Sequence, residues 1–229
     1  MIEPDNMHPW NLTCHEALDL QLRLRQKLRV TPLPLRKIQY VAGADVAVSN
    51  KLGVLVSAVV VLRFPSLDIV ECQTAHSTLS FPYIPGLLSF REIPGLIHCF
   101  EKVRTPFQLL LCDGQGIAHP RRFGLACHLG VVLKMPTIGC AKSLLVGEHE
   151  PVGERKGDEA PLMYEGKRVG TVLRTRSNVK PLFVSPGNLV DQVSARRIVM
   201  SCVTKYRLPE PTRRAHILAG EHKQRLEMR

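Results

Sequence analysis

The sequence has no long hydrophobic run. Its longest wholly apolar stretches, such as 109–111 and 59–62, are far too short to cross a bilayer. The N-terminus, Met1 to Asp5, lacks the basic segment and the apolar core of a secretory signal. Internal repeats, low-complexity segments and heptads are also missing from the sequence. These absences argue against membrane and secreted classes, and we expect a soluble, cytoplasmic protein without a membrane partner.

Cysteine pairs of the kind that bind structural zinc are missing as well. The 7 cysteines form no C-x-x-C pair, and this odd number is scattered through apolar segments. Such usage is typical of reduced, mostly buried thiols. Neither disulfides nor a zinc site is expected.

Acidic residues are too few to balance the basic ones. The chain of 229 residues has 31 Lys and Arg against 20 Asp and Glu, a net charge of +11. This charge favours nucleic acid, an anionic membrane or an acidic partner, and does not choose among them. With 45% hydrophobic and 22% charged residues, the composition is that of a globular protein, and we expect one domain over residues 1–229 and a monomer.

The first half of the chain predicts a helix followed by an antiparallel meander. A capping box, Thr13 to Glu16, precedes apolar residues at helical spacing, which predicts a helix to about Arg29. Strand-like runs then follow at close turns, namely 39–49, 54–64 and 67–77. A short strand near 87–90 and a helix from Pro94 to about Arg104 are expected next.

The second half of the chain alternates strands with helices, which predicts parallel pairing. The expected elements are strand 107–112, helix 121–134, strand 136–140, a mobile loop 147–160, and a hairpin of strands 162–165 and 168–175. A helix capped by Asn188, with Leu189, Val193, Met200 and Val203 on one stripe, and a last short helix after Pro211 complete the chain. The expected fold class is therefore α/β, a mixed β-sheet flanked by helices.

Three carboxylates stand beside apolar strand residues, where they are costly unless paired, hydrogen-bonded or bound to a metal. Asp45 lies inside the run 41–48, Asp113 ends the run 107–113, and Glu92 follows the run 87–90. In a strongly basic chain, such carboxylates suggest a shared divalent cation and a nuclease site.

Each acid also has an ordinary interpretation. Asp113 precedes glycine and could cap a turn. Asp45 could face water on an edge strand, and Glu92 could begin a helix, where a carboxylate complements the helix dipole.

The hexapeptide 81–86, which we call the wedge loop, has the sequence Phe-Pro-Tyr-Ile-Pro-Gly. Two prolines stiffen a loop that displays Tyr83 and Ile84. A rigid apolar tip can enter a base stack and offset the cost of unstacking. Packing of Tyr83 and Ile84 into the core is an equally good interpretation.

Basic residues follow the predicted parallel strands. His119, Arg121 and Arg122 come directly after the glycine turn at 114–116, near where a phosphate backbone would lie if Asp113 holds a metal. Lys142 follows strand 136–140 and could steady charge on a phosphoryl group, or be a solvated lysine. His216 on the last helix could orient water or carry a proton.

Taken together, these segments resemble the endonuclease V family of deaminated-base repair nucleases, which has a ribonuclease H-like fold. The likeness runs from about residue 10 to about residue 220 and is carried by 43–46, 81–92, 113–121, 136–142 and 208–213. The resemblance implies a hydrolase, a deoxyinosine 3′ endonuclease that cuts the second phosphodiester 3′ to the lesion and starts DNA repair.

By resemblance, Asp45, Glu92 and Asp113 hold Mg²⁺ or Mn²⁺, Lys142 and His216 assist catalysis, and Tyr83 leads the strand-separating wedge. The resemblance also places the pocket for extruded hypoxanthine around Gly86, Leu88, Gly114 and Leu145, with His119 and Arg91 touching the strand. The nucleic-acid-binding set is Tyr83, Ile84, Pro85, Gly86, Leu88, Arg91, Gly114, Gly116, His119, Arg121 and Leu145.

Two residues depart from the family pattern, Gln115 and Asn188, where histidine is frequent. Two alternatives for the function stay open. One is an endonuclease of the same fold that acts on inosine-containing RNA, because no reader of the 2′-hydroxyl is evident. The other is a non-catalytic module that binds nucleic acid through its basic surface.

Overall fold

A computed structural model describes residues 8–228 of the protein. Within that range the helices are α1 (Cys14–Arg25), α2 (Leu88–Phe100), α3 (Leu125–Val132), α4 (Gln192–Ser201) and α5 (Glu210–Glu227), with one 3-10 turn at Leu35–Lys37. The strands are β1 (Tyr40–Ser49), β2 (Val54–Arg63), β3 (Ile69–Thr78), β4 (Leu109–Cys112), β5 (Thr137–Ala141), β6 (Glu159–Tyr164), β7 (Lys167–Leu173) and β8 (Leu182–Pro186). Among the described residues, no helix is both long and apolar enough to cross a membrane.

The strands form one mixed sheet in the order β3-β2-β1-β4-β5-β8-β7-β6. β1, β2 and β3 pair antiparallel, whereas β4 pairs parallel with both β1 and β5. β8 and the β6–β7 hairpin extend the sheet with antiparallel pairs. The predicted class, a ribonuclease H-like mixed sheet with a meander and parallel strands, is confirmed.

Helices cover both faces of this sheet. α2 and α3 pack on one face through Ile93, Phe100 and Leu129. α4 and α5 pack on the other through Ile198 and Ala215. Burying one such large apolar side chain contributes about 1.5–3 kcal/mol, so the sheet is a rigid base for residues at its strand ends.

The meander is confirmed, but the segment that follows it was predicted wrongly. Residues 88–100 form one helix, α2, with Pro94 inside it, rather than a short strand and a later helix. The buried residues Leu87, Phe90, Ile93 and Leu96 recur at helical spacing, and their burial outweighs the cost of an interior proline. Glu92 therefore lies on a helix.

Several boundaries in the other segments also differ from the predictions. α1 ends at Arg25, and α3 begins at Leu125, after the arginines rather than at them. β8 was missed altogether, and α5, predicted to be short, has 18 residues.

Asn188 is not the cap of α4. Asp191 caps it, its carboxylate accepting a hydrogen bond from the Ser194 N–H. On the predicted stripe, Val193 is exposed and Leu189 precedes the helix with φ of 53°. The Asn188 side chain instead accepts from Arg29 N–H and donates to the Gly130 carbonyl, so it joins the end of α1 to α3.

The close approach of α5 to β1 depends on Gly43. A Cβ at Gly43 would collide with the backbone carbonyl of Pro211, at the start of α5. Glycine is required here by the space available and not by its backbone angles. The approach carries His216, further along α5, over the same face of β1 that presents Asp45.

Candidate active site

The site begins where two central strands meet. β1 lies between β2 and β4, so Asp45 is not on an edge strand and the solvent-facing interpretation is excluded. Ala44 pairs with Cys112 in the parallel β1–β4 ladder, and the residues that follow are Asp45 and Asp113. Because paired residues of a parallel ladder lie side by side, this register places Asp45, within β1, next to Asp113, which directly follows β4.

One histidine, His216, lies beside the two acids. Single ligand atoms of Asp45, Asp113 and His216 all lie within 4.8 Å of one another. His216 Nδ1 is 2.9 Å from Asp45 Oδ2, which brings the last helix into contact with the centre of the sheet. The Asp45 and Asp113 side chains are only 11% and 12% exposed.

Lys142 supplies a positive charge at the same edge. It follows β5, the parallel neighbour of β4, and its Nζ is 2.5 Å from Asp113 Oδ2. The interpretation of Lys142 as an ordinary solvated lysine does not hold, because its ammonium is committed to a nearly buried carboxylate.

Glu92 approaches the two acids from α2. It is not one of the residues whose ligand atoms lie within 4.8 Å of each other. It has no hydrogen bond or ion pair with any residue in the range 8–228, although its charge interacts with those of Asp45 and Asp113. The half-buried Glu92 side chain is thus the acid with the least compensation.

Burial and mutual repulsion shift the protonation of these acids. Burial, together with the charges of Asp45 and Asp113, raises the pKa of Glu92 to about 8. Burial and Asp113 raise the pKa of Asp45 to about 6, although His216 and Lys142 oppose this shift. Ionising these carboxyls together is therefore costly while no cation is bound, as is frequent at functional sites.

The donor set fits a hard divalent cation. Carboxylate oxygens are the ligands that Mg²⁺ and Mn²⁺ prefer, and the imidazole of His216 is compatible with Mn²⁺. Lys142 and His216 alone leave the acids under-compensated, as the raised pKa values of Asp45 and Glu92 show. A cation would neutralise this excess, so the site is suited to a metal.

The wedge loop presents its tip to solvent. Tyr83 is 68% exposed, whereas Phe81 at the base of the loop is buried against α1 and α3. Ile84 is half-buried in the same apolar cluster. The guanidinium of Arg91 lies 5.9 Å from the Tyr83 ring centroid. Packing of Tyr83 into the core is thereby excluded.

The carbonyl of Gly86 fixes the end of the wedge loop. It accepts hydrogen bonds from Gln21 Nε2 at 2.9 Å, His119 Nε2 at 3.0 Å and Arg121 Nη2 at 2.7 Å. Arg121 Nε also donates to Gln21 Oε1. Gly86 has φ of 80°, a conformation that side chains disfavour. The loop is held in place before any ligand arrives.

A cavity of about 110 Å³ lies behind the wedge loop. A cavity of roughly 150 Å³ admits a benzene ring, so this one would have to widen before it could hold a planar purine base. Of the predicted pocket residues, Gly86, Leu88 and Leu145 line it, and so do Tyr83, Ile84, Pro85 and His119 of the wider nucleic-acid-binding set. Gly114 does not line it, although its neighbour Gln115 does.

The remaining predicted nucleic-acid residues lie mostly inside the protein. Gly116 N–H donates to Ser185 Oγ, and a Cβ at Gly116 would collide with the Pro186 carbonyl. The Arg121 guanidinium donates hydrogen bonds to the Gly86 carbonyl and to Gln21 Oε1. The Arg122 guanidinium forms an ion pair with Glu165 in the β6–β7 turn. His119 is 3% exposed, and burial lowers its pKa to about 4. In this structure these side chains support loops.

Sequence reasoning missed Gln21 and Ser89. Gln21 is 1% exposed on the apolar side of α1, between Leu20 and Leu24. A polar side chain on an apolar helical stripe is a signal of a buried hydrogen-bond role, and it was present in the sequence. Ser89 lines the cavity one helical turn before Glu92, and no sequence pattern marked it.

The fold and site together define the class of nucleases with a ribonuclease H-like fold. Residues 22–217 match the sequence model of Endonuclease V. The chain belongs to the Endonuclease V family. It is 50% identical over 213 residues to Endonuclease V of Trichormus variabilis, a match that covers 93% of this chain and 96% of that protein.

Solved structures agree with this assignment. Endonuclease V of Streptomyces avermitilis superposes with a TM-score of 0.90 at 43% identity, covering 95% of this chain and 96% of that one. Endonuclease V of Ciona intestinalis superposes with a TM-score of 0.83 at 31% identity, covering 93% and 98%. The Ciona protein was solved in complex with a 24mer DNA containing an inosine followed by a ribo-adenosine.

Proposed function

We propose that this protein is a metal-dependent endonuclease that recognises deoxyinosine in DNA and hydrolyses the second phosphodiester bond 3′ to the lesion. The observation that carries the proposal is the convergence of Asp45, Asp113 and His216 ligand atoms within 4.8 Å on a basic protein. The DNA-bound inosine of the related Ciona structure supports the choice of substrate. We also expect a monomer.

Asp45, Glu92 and Asp113 would hold Mg²⁺, with Mn²⁺ as an effective substitute. When bound, such a cation lowers the pKa of coordinated water and neutralises charge that develops on the phosphoryl oxygens. The raised pKa values of Asp45 and Glu92 suit this role, because a cation is the partner that would restore both carboxylates to their ionised form.

Lys142 and His216 supply the remaining polar chemistry. The Lys142 ammonium, fixed by Asp113, can donate hydrogen bonds to a phosphate oxygen placed beside that acid. His216 is bound to Asp45 through Nδ1, which leaves Nε2 on a ring that is 56% exposed. That nitrogen can take a proton from water or return one to the departing 3′ oxygen.

The wedge loop and the cavity behind it would handle the base. Tyr83 replaces the extruded base in the stack, and its stiff flanking prolines limit the entropy lost on insertion. Ser89 of the cavity and Glu92 of the acid cluster are one turn apart on α2, and Gln115 of the cavity is two residues after Asp113. Base capture and backbone hydrolysis would therefore share two structural elements.

A labelled duplex with one deoxyinosine tests the proposal. With Mg²⁺, we expect a single cut one nucleotide beyond the lesion on its 3′ side, leaving 3′-hydroxyl and 5′-phosphate ends. An undamaged duplex and the reaction with EDTA are the controls. A matched RNA strand with inosine shows which nucleic acid is preferred. Absence of cutting on every inosine substrate with either metal would contradict the proposal.

A further inference from the structure

Two of the polar side chains that line the cavity, Gln21 and His119, have already used their hydrogen-bonding capacity. Gln21 donates both amide hydrogens, to the carbonyls of Gly86 and Phe123, and accepts from Arg121. The His119 ring bonds to the Gly86 carbonyl through one nitrogen and accepts the Arg121 N–H through the other. Neither side chain has a free group with which to select a base.

Gln115 differs from them because one of its atoms has no partner. The side chain is 9% exposed and lines the cavity, and its Nε2 donates to the Ser143 carbonyl at 3.0 Å. Its Oε1 is buried and has no hydrogen bond with any of residues 8–228. The opposite amide orientation would put two oxygens together, so the free atom is an acceptor. A buried acceptor of this kind is costly until a donor reaches it.

Ser89, which also lines the cavity, is fixed as an acceptor by two buried histidines. The Pro9 carbonyl can only accept, so His8 carries its proton on Nδ1, 2.8 Å away. His8 Nε2 then accepts from His128 Nε2 at 2.9 Å, and His128 Nδ1 accepts from the Ser89 hydroxyl at 3.0 Å. Burial lowers the pKa of both histidines, which keeps them neutral.

Because the Ser89 hydroxyl hydrogen is already donated to His128, the Ser89 oxygen can only accept a hydrogen bond from a ligand. Gln115 and Ser89, the buried lining side chains that retain hydrogen-bonding capacity, therefore both offer acceptors. A base that satisfies them must present an N–H group, either on the ring or on an exocyclic amine. Hypoxanthine in its lactam form has such a group at N1, whereas adenine has a lone pair at N1.

We propose that Gln115 and Ser89 are specificity-determining residues that accept a hydrogen bond from the ring N–H of the extruded base. The proposal rests on the proposed function and deepens it, because it identifies the side chains of this chain that distinguish a lactam base.

The test compares two lesions that differ in the ring N–H. One duplex carries deoxyinosine, and a second carries 2′-deoxynebularine, whose purine has no N1 hydrogen. We expect Gln115→Met and Ser89→Ala to lower kcat/KM on deoxyinosine by about tenfold each, the effect of one buried hydrogen bond. Neither change should alter the rate on deoxynebularine by more than about twofold.

Gln192→Met is the matched control. Gln192 Oε1 is likewise buried and without a partner, but the residue lies on α4 and does not line the cavity. Its substitution should leave the ratio of the two rates unchanged. Gln115→Glu keeps an acceptor oxygen while losing the bond to Ser143, so it should retain the preference for deoxyinosine even if the overall rate falls.

DNA binding by a variant that cannot cleave tests deoxyinosine recognition and the roles of Gln115 and Ser89 separately. In an Asp113→Asn background, fluorescence anisotropy should show preference for deoxyinosine DNA, and Gln115→Met should remove about tenfold of it. If the background protein shows no preference for deoxyinosine over undamaged DNA, the proposed function fails and this inference with it. If it shows the preference and Gln115→Met and Ser89→Ala both retain it, or if Gln115→Glu loses it, only the inference is overturned.

Discussion

The acid cluster and the base cavity are neighbours, but they differ in how far their polar groups are satisfied within the protein. At the cavity, the Gly86 carbonyl accepts from three donors, and Gln21 and His119 are fully used. At the acid cluster, Asp45 and Glu92 have pKa values of about 6 and about 8, and Glu92 has no partner among the described residues. The cavity leaves only the acceptors of Gln115 and Ser89 for a ligand, whereas the carboxyls of the acid cluster are costly to ionise without a cation.

The difference shows how the two regions divide the work. A base must be recognised by shape and by a few polar groups, so the protein fixes the loop and leaves only two acceptors open. A phosphodiester must be hydrolysed, so the protein concentrates carboxylates that only a cation can balance. The acid cluster lowers the stability of the folded protein, because its function requires carboxylates that repel one another.

The largest expected effect comes from the acid cluster. Asp113→Asn should reduce cleavage of a deoxyinosine duplex by about 10³-fold or more, because it weakens the cation site and the Lys142 ion pair together. Asp68→Asn, in an exposed turn, is the control and should retain full activity. Gel-based cleavage under single-turnover conditions measures both, and substantial activity in Asp113→Asn would contradict the assignment.

The wedge loop should give the next largest effect. Tyr83→Ala should lower kcat/KM on a duplex by about 10- to 100-fold, since unstacking costs a few kcal/mol that the ring no longer offsets. A single strand with the same lesion needs less unstacking, so its rate should fall much less. Equal losses on both substrates would show that Tyr83 does not act as a wedge.

Gln21 should have a smaller effect on the cavity side. Gln21→Met keeps the length of the side chain but removes its bonds to Gly86, Phe123 and Arg121, so KM should rise about tenfold with a smaller change in kcat. Gln26→Met, exposed at the end of the same helix, is the matched control. A fall in kcat with KM unchanged would argue against a positioning role for Gln21.

The smallest expected effect is on the stability of the metal-free protein. Folding raises the pKa of Asp45 to about 6 and of Glu92 to about 8, so the native state binds more protons than the unfolded chain between about pH 4 and 8. Stability should therefore fall as the pH rises through this window. With EDTA, Glu92→Gln should raise the melting temperature at pH 8 by roughly 5 °C and reduce the slope. A steeper slope in the variant would contradict the assigned repulsion.

Structural features that depend on local sequence patterns were predictable from the sequence. The meander follows from β-branched residues and close turns, and the parallel core follows from alternating strands and helices. The buried cysteines were expected too, and five of the seven are buried, all of them unpaired. Asp45 and Asp113 could be identified because a carboxylate in a buried strand needs a special reason.

Features that depend on distant contacts were not predictable. The bond from Gln21 to Gly86 spans 65 residues, and the His8 to His128 bond spans 120. α2 was misread because Pro94 suggested a helix start, and β8 is five residues long between prolines. The length of α5 was underestimated because, after its first turn, its buried residues are the small Ala215 and Ala219, which give a weak apolar pattern.

The most direct test of the shared-cation claim is the binding of Mn²⁺ to the DNA-free protein at pH 8, measured by electron paramagnetic resonance. The account predicts saturable binding in the wild type and at least tenfold weaker binding in Asp45→Asn, Glu92→Gln and Asp113→Asn, with Asp68→Asn unchanged. Undiminished binding in any of the three site variants would contradict it.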